Sequence, residues 1–214
     1  MLRGNKMNTT VYLIRHSKPF KEHIGILDTN DSILLQNQKS PLSIEGEKMA
    51  ERWANNNEFK NLDVVISSNY VRAISTAKYF AHNNNLKVNI TDYLNERVHG
   101  INYWNELPFD FEIKQLNDEN YKIGFGESQK EVQNRMLKIL NKILTDYQGK
   151  RVLIVSHATA ITFLLKEFCE VNYNSNYKYK DKVFFDGNWN YLETFKLEFN
   201  EKNELIDISN IKNR

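Results

Sequence analysis

Short apolar runs rich in β-branched residues alternate along the chain with stretches whose apolar positions recur at helical spacing. The apolar runs predict strands at Thr10–Arg15, Asp63–Ser67, Lys87–Thr91 and Arg151–Ser156. The helical patterns predict helices at Ser43–Asn56, Tyr70–Asn83, Ser128–Tyr147 and His157–Glu167. The runs VYLIR and RVLIV are apolar on both faces, which is typical of parallel strands covered by helices on both sides. The pattern therefore predicts an α/β fold with a mostly parallel central sheet.

Residues at the predicted helix boundaries agree with this pattern. Ser128 followed by Glu131 forms a capping box at the start of the long helix. Ser43 is a predicted N-cap, and Gly46, just inside that helix, would let another segment pack closely against it. Both helices therefore have defined starting points.

Two long segments do not fit the alternation of strands and helices. They are Phe20–Ser40 and Arg97–Gly126, and the second is rich in aromatic residues. Both follow predicted strand ends, and ligands of open α/β sheets bind beyond the carboxyl ends of the strands. We expect these segments to form the walls and lid of a site, with a lid or flap insertion at about 97–126. The tail, with strands at Tyr191–Asn200 and Glu204–Ser209, predicts a hairpin that closes one edge of the sheet.

Length and composition limit the class of protein. A chain of 214 residues is expected to form a single domain, 1–214, with a substantial core. The net charge of +2 and the pI near 8.4 are too mild to indicate a nucleic-acid-binding protein. One cysteine, Cys169, excludes a disulfide within the chain. No apolar window is long enough for a signal peptide or a membrane span, so we expect a soluble, cytoplasmic protein that does not bind membranes.

Polar side chains follow the predicted strands at the point where each strand ends. Arg15 and His16 follow the first strand, and His157 follows the strand that ends the run RVLIVS. Arg72 lies in the first turn of the helix after the second strand, and Glu96 comes soon after the third strand. Because the carboxyl ends of parallel strands meet at one edge of a sheet, we expect these groups to share one rim.

This set of groups suits phosphoryl chemistry. Two guanidiniums can hold a phosphoryl group with paired hydrogen bonds, and a neutral imidazole can attack phosphorus. A second imidazole can donate to the phosphoryl oxygens, and backbone N–H groups at a helix N-terminus suit an anion. A nearby carboxyl group can protonate the departing alkoxide. Taken singly, each residue is more simply explained as structural, but their joint position at corresponding strand ends favours a site.

Several segments of the chain resemble the motifs of the histidine phosphatase superfamily, also called phosphoglycerate mutase-like. LIRHS resembles its Arg-His-Gly signature, and SSNYVRAISTA resembles its Ser-Ser-x-x-x-Arg-Ala-x-x-Thr-Ala motif. Further motifs of the family are resembled by the segments PLSIEGEKMA, LNERVHG, GESQKEVQNR and VSHATAI. The resemblance implies a three-layer α/β/α sandwich, a single histidine-phosphatase domain over 1–214 and a covalent phosphohistidine intermediate.

The resemblance also implies a role for each matching residue. His16 matches the nucleophile, and Glu96 matches the general acid that later acts as the base. Arg15 and Arg72 match the phosphate-binding arginines, and His157 matches the second catalytic histidine, which also binds phosphate. No metal and no cofactor are implied, and the expected partner is a small phosphorylated substrate, bound by a monomer or homodimer.

Four further positions are candidate substrate contacts. Ser17 stands where the family carries glycine, and Ala158 follows the second histidine. Ser17 is better explained by filling space, whereas Lys18 is as well explained as a solvated loop lysine. Arg97 follows the acid, where mutase relatives carry a substrate-contacting arginine, and it could equally form a structural ion pair.

Three functions are compatible with these residues. The favoured one is a metal-independent phosphatase that hydrolyses a small phosphorylated metabolite. A phosphoglycerate mutase is the alternative, because LNERVHG resembles the mutase motif; against it, INYWNELPFDFEIKQLNDEN lacks the arginine pair that would grip a substrate carboxylate. A catalytically weak member that binds a phosphorylated ligand or protein is disfavoured because all five core positions are present.

Overall fold

The computed structural model describes residues 8–20, 32–172 and 175–212. Within these ranges the strands are β1 (Thr9–Arg15), β2 (Val64–Ser68), β3 (Val88–Thr91), β4 (Arg151–Ser156), β5 (Glu170–Val171), β6 (Tyr177–Tyr179), β7 (Lys182–Phe185), β8 (Thr194–Phe199) and β9 (Leu205–Ile211). The helices are α1 (Ile33–Lys39), α2 (Ile44–Ala54), α3 (Val71–Asn83), α4 (Phe111–Asn117), α5 (Gln129–Asp146) and α6 (Ala158–Leu165). All four strands and all four helices of the predicted alternation are present within one or two residues of their expected bounds.

The central sheet has six strands in the order β3-β2-β4-β1-β8-β9. The pairs β2–β3, β2–β4 and β1–β4 are parallel, whereas β8 pairs antiparallel with both β1 and β9. The mostly parallel sheet and the hairpin at its edge are therefore confirmed. In the β1–β4 register Arg15 lies opposite Ser156, so the residues that follow both strands leave the sheet at the same edge.

Alternate residues of β1 enter two separate apolar cores. Val11 and Leu13 belong to the core that includes residues of α5 and α6. Tyr12 and Ile14 belong to the core that includes residues of α2 and α3. All four side chains are fully buried, which explains why this strand is apolar on both faces. The three-layer α/β/α arrangement is confirmed.

The helix starts are those that the sequence predicts. The hydroxyls of Ser43 and Ser128 accept backbone N–H bonds from the first turns of α2 and α5, and Glu131 completes the capping box. Gly46 lies so close to the loop after β1 that an added Cβ would stand 2.0 Å from the carbonyl oxygen of Lys18. Close packing, rather than an unusual backbone conformation, accounts for this glycine.

The segments outside the alternation contain structure that the sequence pattern did not predict. The segment 20–40 contains α1, and 97–126 contains α4; the part at 21–31 lies outside the described residues. The chain also forms a second, three-stranded sheet from β5, β6 and β7. These pieces are short, so they show too few repeats for a periodic pattern to be recognised. None of the helices in the described parts of the chain is long and apolar enough to span a membrane.

Candidate active site

The two histidines of the predicted site lie side by side at the edge where β1 and β4 end. The backbone N–H of His16 donates to the Ser156 carbonyl at 3.0 Å, which continues the β1–β4 pairing by one residue. The ring centroids of His16 and His157 are 5.1 Å apart. The register of two parallel strands thus brings together residues that are far apart in the chain.

The hydrogen bonds of His16 assign its tautomer. Its Nδ1 lies 2.7 Å from the carbonyl oxygen of Ser17, which can only accept, so Nδ1 carries the proton. Its Nε2 lies 3.0 Å from the Nε–H of Arg72, which can only donate, so Nε2 presents a lone pair. The side chain is only 6% exposed. His16 therefore presents an unprotonated nitrogen to the pocket, as a nucleophilic imidazole requires.

Arg72 joins the two histidines. Beyond its bond to His16, its Nη2 lies 3.2 Å from Nδ1 of His157, and its Nη1 donates to the carbonyl oxygen of Asn37 in α1. Burial lowers the pKa of the Arg72 guanidinium, and the negative charge of Glu96 opposes this shift. The arginine stays protonated and faces both imidazoles with its donors.

Arg15 is held by residues that the sequence pattern does not single out. Its Nη1 donates to the Trp189 carbonyl at 3.1 Å, and its guanidinium carbon lies 4.7 Å from the ring centroid of Tyr191. Its Nε is buried and has no hydrogen-bond partner among the described residues. Burial lowers the pKa of Arg15, while the nearby Tyr191 and the charge of Glu96 oppose the shift. No motif surrounds Trp189 and Tyr191, so no local signal could have identified them.

His157 is fully buried and neutral. Burial lowers its pKa well below the ordinary value, and the positive charge of Arg72 lowers it further. Its Nδ1 faces Arg72, and its Nε2 lies 2.8 Å from the hydroxyl oxygen of Ser68. Ser68 ends β2, within the motif that also contains Arg72, and its oxygen accepts from the Tyr70 N–H at 3.1 Å. Ser68 thus orients the second histidine, a role that reasoning from the sequence missed.

Glu96 occupies the N-terminus of α6. Its Oε1 accepts from the backbone N–H groups of Arg97 at 2.9 Å and Ala160 at 3.0 Å, and its Oε2 accepts from Thr159 at 3.3 Å. The sequence predicts that N–H groups at this helix end receive a bound anion. The structure corrects that expectation for two of them, because the chain's own carboxylate takes their hydrogen bonds.

Ser17 and Lys18 make contacts with α2. The Ser17 hydroxyl donates to the Gly46 carbonyl at 2.7 Å, and its backbone N–H donates to the Thr76 hydroxyl at 3.0 Å. The Ser17 side chain is fully buried, and the Lys18 ammonium pairs with the exposed carboxylate of Glu45. These contacts support a structural role for Ser17, while a substrate contact by Lys18 stays a prediction.

Arg97 connects the loop after β3 to α4. Its Nη2 donates to Glu112 and to the Nε2 of His99, both at 2.9 Å, and its Nη1 donates to Gln115. Arg97 is buried although Glu112 is exposed. Burial, followed by the Arg97 charge, lowers the pKa of His99 to about 4. This network supports the structural ion pair that the sequence left as an alternative for Arg97.

A cavity of about 160 Å³ is lined by residues that neighbour the candidate active site. Its walls come from α4, α5, α6, β6 and the segment after β7, and they include Arg97, Ala158, Thr159 and Trp189. The Thr159 N–H binds Glu96 and the Trp189 carbonyl binds Arg15, so two residues of the cavity wall are hydrogen-bonded to residues of the predicted site. Two of the candidate substrate contacts, Arg97 and Ala158, therefore line the same cavity.

Comparisons with known proteins show which family the chain resembles. The family model of the histidine phosphatase superfamily (branch 1) matches residues 11–181. Phosphoserine phosphatase 1 of Hydrogenobacter thermophilus is 29% identical over 160 residues, which cover 68% of this chain and 69% of the relative. The uncharacterized phosphatase PhoE of Bacillus subtilis is also 29% identical over 160 residues, covering 74% of this chain and 77% of the relative.

The fold has solved counterparts. The VO3 complex of a mycobacterial glucosyl-3-phosphoglycerate phosphatase superimposes with a TM-score of 0.69 at 15% identity, and the match covers 95% of this chain and 97% of that one. The family match and the phosphatase relatives make this protein a phosphoric monoester hydrolase of the histidine phosphatase type. With its sequence motifs meeting at one sheet edge and the family model matching most of its length, the chain belongs to the histidine phosphatase superfamily, branch 1.

Proposed function

We propose that this protein is a metal-independent phosphatase that hydrolyses a small phosphorylated metabolite through a phosphohistidine formed on His16. The observation that carries the proposal is the shared environment of the two imidazoles. Nε2 of His16 and Nδ1 of His157 lie 3.0 and 3.2 Å from nitrogens of the same guanidinium, that of Arg72. A phosphoryl group that binds Arg72 is thereby placed within reach of both rings.

In the first step the Nε2 lone pair of His16 attacks phosphorus. A nitrogen–phosphorus bond forms, the ester phosphorus–oxygen bond breaks, and its electron pair leaves with the ester oxygen. Arg15 and Arg72 exchange their present contacts for bonds to the phosphoryl oxygens and offset their charge. The Nδ1–H of His16 keeps its hydrogen bond to the Ser17 carbonyl, which holds the ring in the attacking tautomer.

His157 donates a hydrogen bond to a phosphoryl oxygen in this scheme. In this structure its Nδ1 accepts from Arg72 and its Nε2–H points to Ser68. A serine hydroxyl can either donate or accept. When phosphoryl oxygens displace Arg72 from the ring, water protonates Nδ1 and takes up the Nε2 proton, so the ring changes tautomer with no net gain or loss of protons. The Ser68 hydroxyl then turns to donate to Nε2, and the Nδ1–H faces the substrate.

Glu96 supplies the proton that the leaving oxygen requires. Among the described residues its Oε1 accepts two backbone N–H bonds and its Oε2 accepts one, at 3.3 Å, so Oε2 has the more available lone pair. In the second step the carboxylate takes a proton from water, water oxygen attacks phosphorus, and the electron pair of the nitrogen–phosphorus bond returns to His16. The products are an alcohol and inorganic phosphate.

A cavity whose walls include Thr159, a backbone partner of Glu96, offers space for a leaving group. Its walls mix polar groups, such as Thr159 and Gln115, with apolar ones. One relative is named a phosphoserine phosphatase. We therefore propose a short polar phosphate monoester, with phosphoserine as the first compound to test.

Replacement of His16 tests the mechanism. His16→Ala is expected to abolish turnover of 4-nitrophenyl phosphate. A rapid quench should trap an alkali-stable phosphoprotein in the unmodified protein, and this intermediate should be absent from His16→Ala. His82→Ala, on the exposed face of α3, is the matched control and should retain both. Full activity of His16→Ala, or an intermediate on another residue, would overturn the proposal.

Two further measurements test metal independence and substrate. A chelator should leave the rate unchanged, and inhibition that added metal reverses would contradict the metal-independent mechanism. A panel of phosphorylated metabolites should release inorganic phosphate, fastest from small polar monoesters. Isomerisation of 3-phosphoglycerate without phosphate release would instead identify the mutase alternative.

A further inference from the structure

We propose that Arg135, held by Glu127, is a positioning residue for the proton-donating carboxyl group of Glu96. This inference rests on the proposed role of Glu96 as the general acid. Arg135 lies on α5 and is in contact with the backbone of the loop that carries Glu96. It does not contact the side chains of the phosphate pocket through any hydrogen bond in the described structure.

The guanidinium of Arg135 binds three carbonyl oxygens of this loop. Its Nη1 donates to the carbonyls of Tyr93 at 2.9 Å and Asn95 at 2.8 Å. Its Nη2 donates to the carbonyl of Glu96 itself at 3.3 Å. These three acceptors lie within four consecutive residues, so one planar group fixes the path of the backbone that leads to Glu96.

Glu127 fixes the guanidinium and the far side of the loop together. Its two carboxylate oxygens accept from Nε and Nη2 of Arg135 at 2.7 and 2.9 Å. The same carboxylate accepts from the backbone N–H of Val98 at 3.0 Å, and the Glu127 N–H donates back to the Val98 carbonyl at 2.9 Å. Arg135 and Glu127 together therefore hydrogen-bond to the backbone on both sides of Glu96.

The loop needs such support because it has little regular structure. It follows a short 3-10 turn at Asp92–Leu94 and continues without a helix or strand. Its carbonyls would otherwise lack the partners that a helix or sheet supplies. All five N–H groups of the guanidinium are directed to the loop or to Glu127, and the point charge of a lysine cannot reproduce this fork.

Displacement of Glu96 should affect proton donation selectively. A general acid must lie within hydrogen-bonding distance of the leaving oxygen, and a shift of about 1 Å can cost about 10²-fold in rate. A leaving group that departs readily without a proton is little affected by that shift. Loss of the Arg135 contacts should therefore resemble loss of the acid itself.

The test compares two phosphate esters of similar shape. Phenyl phosphate needs protonation of its leaving oxygen more than 4-nitrophenyl phosphate does, and kcat/KM reports the steps up to its departure. For Arg135→Lys we expect the ratio of kcat/KM for the nitrophenyl ester over the phenyl ester to rise at least about tenfold. Glu96→Gln should raise the ratio further, and the double variant should resemble Glu96→Gln alone.

Controls distinguish this role from general support of the fold. Lys142 lies on the same helix, and its ammonium pairs with Asp146 at 2.7 Å. Lys142→Ala should leave the ratio of kcat/KM for the two esters unchanged. If Arg135→Lys does not fold, Glu127→Gln is measured in its place, with the same expected direction. Equal losses on both esters, or additive effects in the double variant, would overturn the positioning role while leaving the phosphatase intact. An unselective Glu96→Gln would overturn the acid assignment and this inference with it.

Discussion

The Ser17 side chain, at a position where the family motif carries glycine, contributes to packing next to His16, the proposed nucleophile. Its hydroxyl is fully buried and donates to the Gly46 carbonyl, away from the Nε2 of His16 that faces Arg72. Its carbonyl accepts the Nδ1 proton of His16, a contact that any residue at this position could make through its backbone. The side chain therefore joins the loop after β1 to α2, while the main chain sets the tautomer.

We expect Ser17→Ala to lower stability and to spare catalysis. The variant leaves the buried Gly46 carbonyl without this donor, which costs about 1 kcal/mol of unfolding free energy. Urea unfolding measures this loss, and the catalytic efficiency toward 4-nitrophenyl phosphate should stay close to that of the unmodified protein. A large fall in catalytic efficiency with unchanged stability would show instead that the hydroxyl contacts the substrate.

The start of α2 is in close contact with the loop that carries His16, the proposed nucleophile. The Ser43 N–H donates to the Lys18 carbonyl at 3.0 Å, and the same carbonyl faces the missing side chain of Gly46. Ser43 at the same time caps the helix through the Gly46 N–H. The first turn of α2 therefore caps the helix, binds the loop after β1 and allows that loop to pack closely against Gly46.

Gly46→Ala should disturb this support. A Cβ at position 46 would stand 2.0 Å from the Lys18 carbonyl oxygen, and a backbone atom cannot move aside by changing rotamer. We expect a loss of about 1–3 kcal/mol in unfolding free energy together with a lower kcat, because the loop that carries His16 must shift. Thermal or urea unfolding and steady-state kinetics measure both effects.

The matched control for that variant is Lys48→Ala, an exposed position on the same helix. It should change neither stability nor kcat appreciably. Unchanged stability of Gly46→Ala would contradict the tight contact between α2 and the loop after β1.

At the scale of the whole molecule, His99 and His157 lie where burial and a neighbouring arginine disfavour their charged forms. His157 is fully buried next to Arg72, and His99 lies beside Arg97 under the segment that includes α4. Both have a pKa lowered first by burial and then by the neighbouring arginine, in the case of His99 to about 4. The central sheet, flanked by two apolar cores, supports our proposal of a single domain, while a lid at about 97–126 stays a prediction.

These histidines should make stability depend on pH. The unfolded chain binds protons at the ordinary histidine pKa near 6.5, whereas folded His99 binds one only near pH 4. Between these pH values the unfolded state binds more protons than the folded state. The unfolding free energy therefore increases as pH rises and decreases as pH falls. Each such histidine contributes at most about 1.4 kcal/mol per pH unit in this window.

Urea unfolding at a series of pH values between about 4 and 7 measures this slope. His99→Asn should show a shallower slope than the unmodified protein, while His82→Asn, at an exposed position, should not change it. An identical slope for His99→Asn would argue that His99 is free to take up a proton in the folded state.

The alternation of strands and helices, and four of the residues at the site, could be read from the sequence. Local spacing decides whether an apolar run forms a strand or a helix, and parallel strands place the residues after their carboxyl ends on one edge. Arg15, His16 and His157 follow directly from that rule, and Arg72 follows because its helix starts where β2 ends. The family motifs add Glu96, which follows β3 only at the distance of a loop.

Only the tertiary structure decided how these groups are held. Glu96 caps α6, and Trp189 and Tyr191 hold Arg15. From α5, Arg135 binds the backbone of the loop that carries Glu96. Such contacts join segments separated by many residues, and they depend on how helices and loops pack and not on the spacing of side chains along the chain. The chemistry of the site is thus encoded locally at strand ends, whereas its orientation arises from long-range packing.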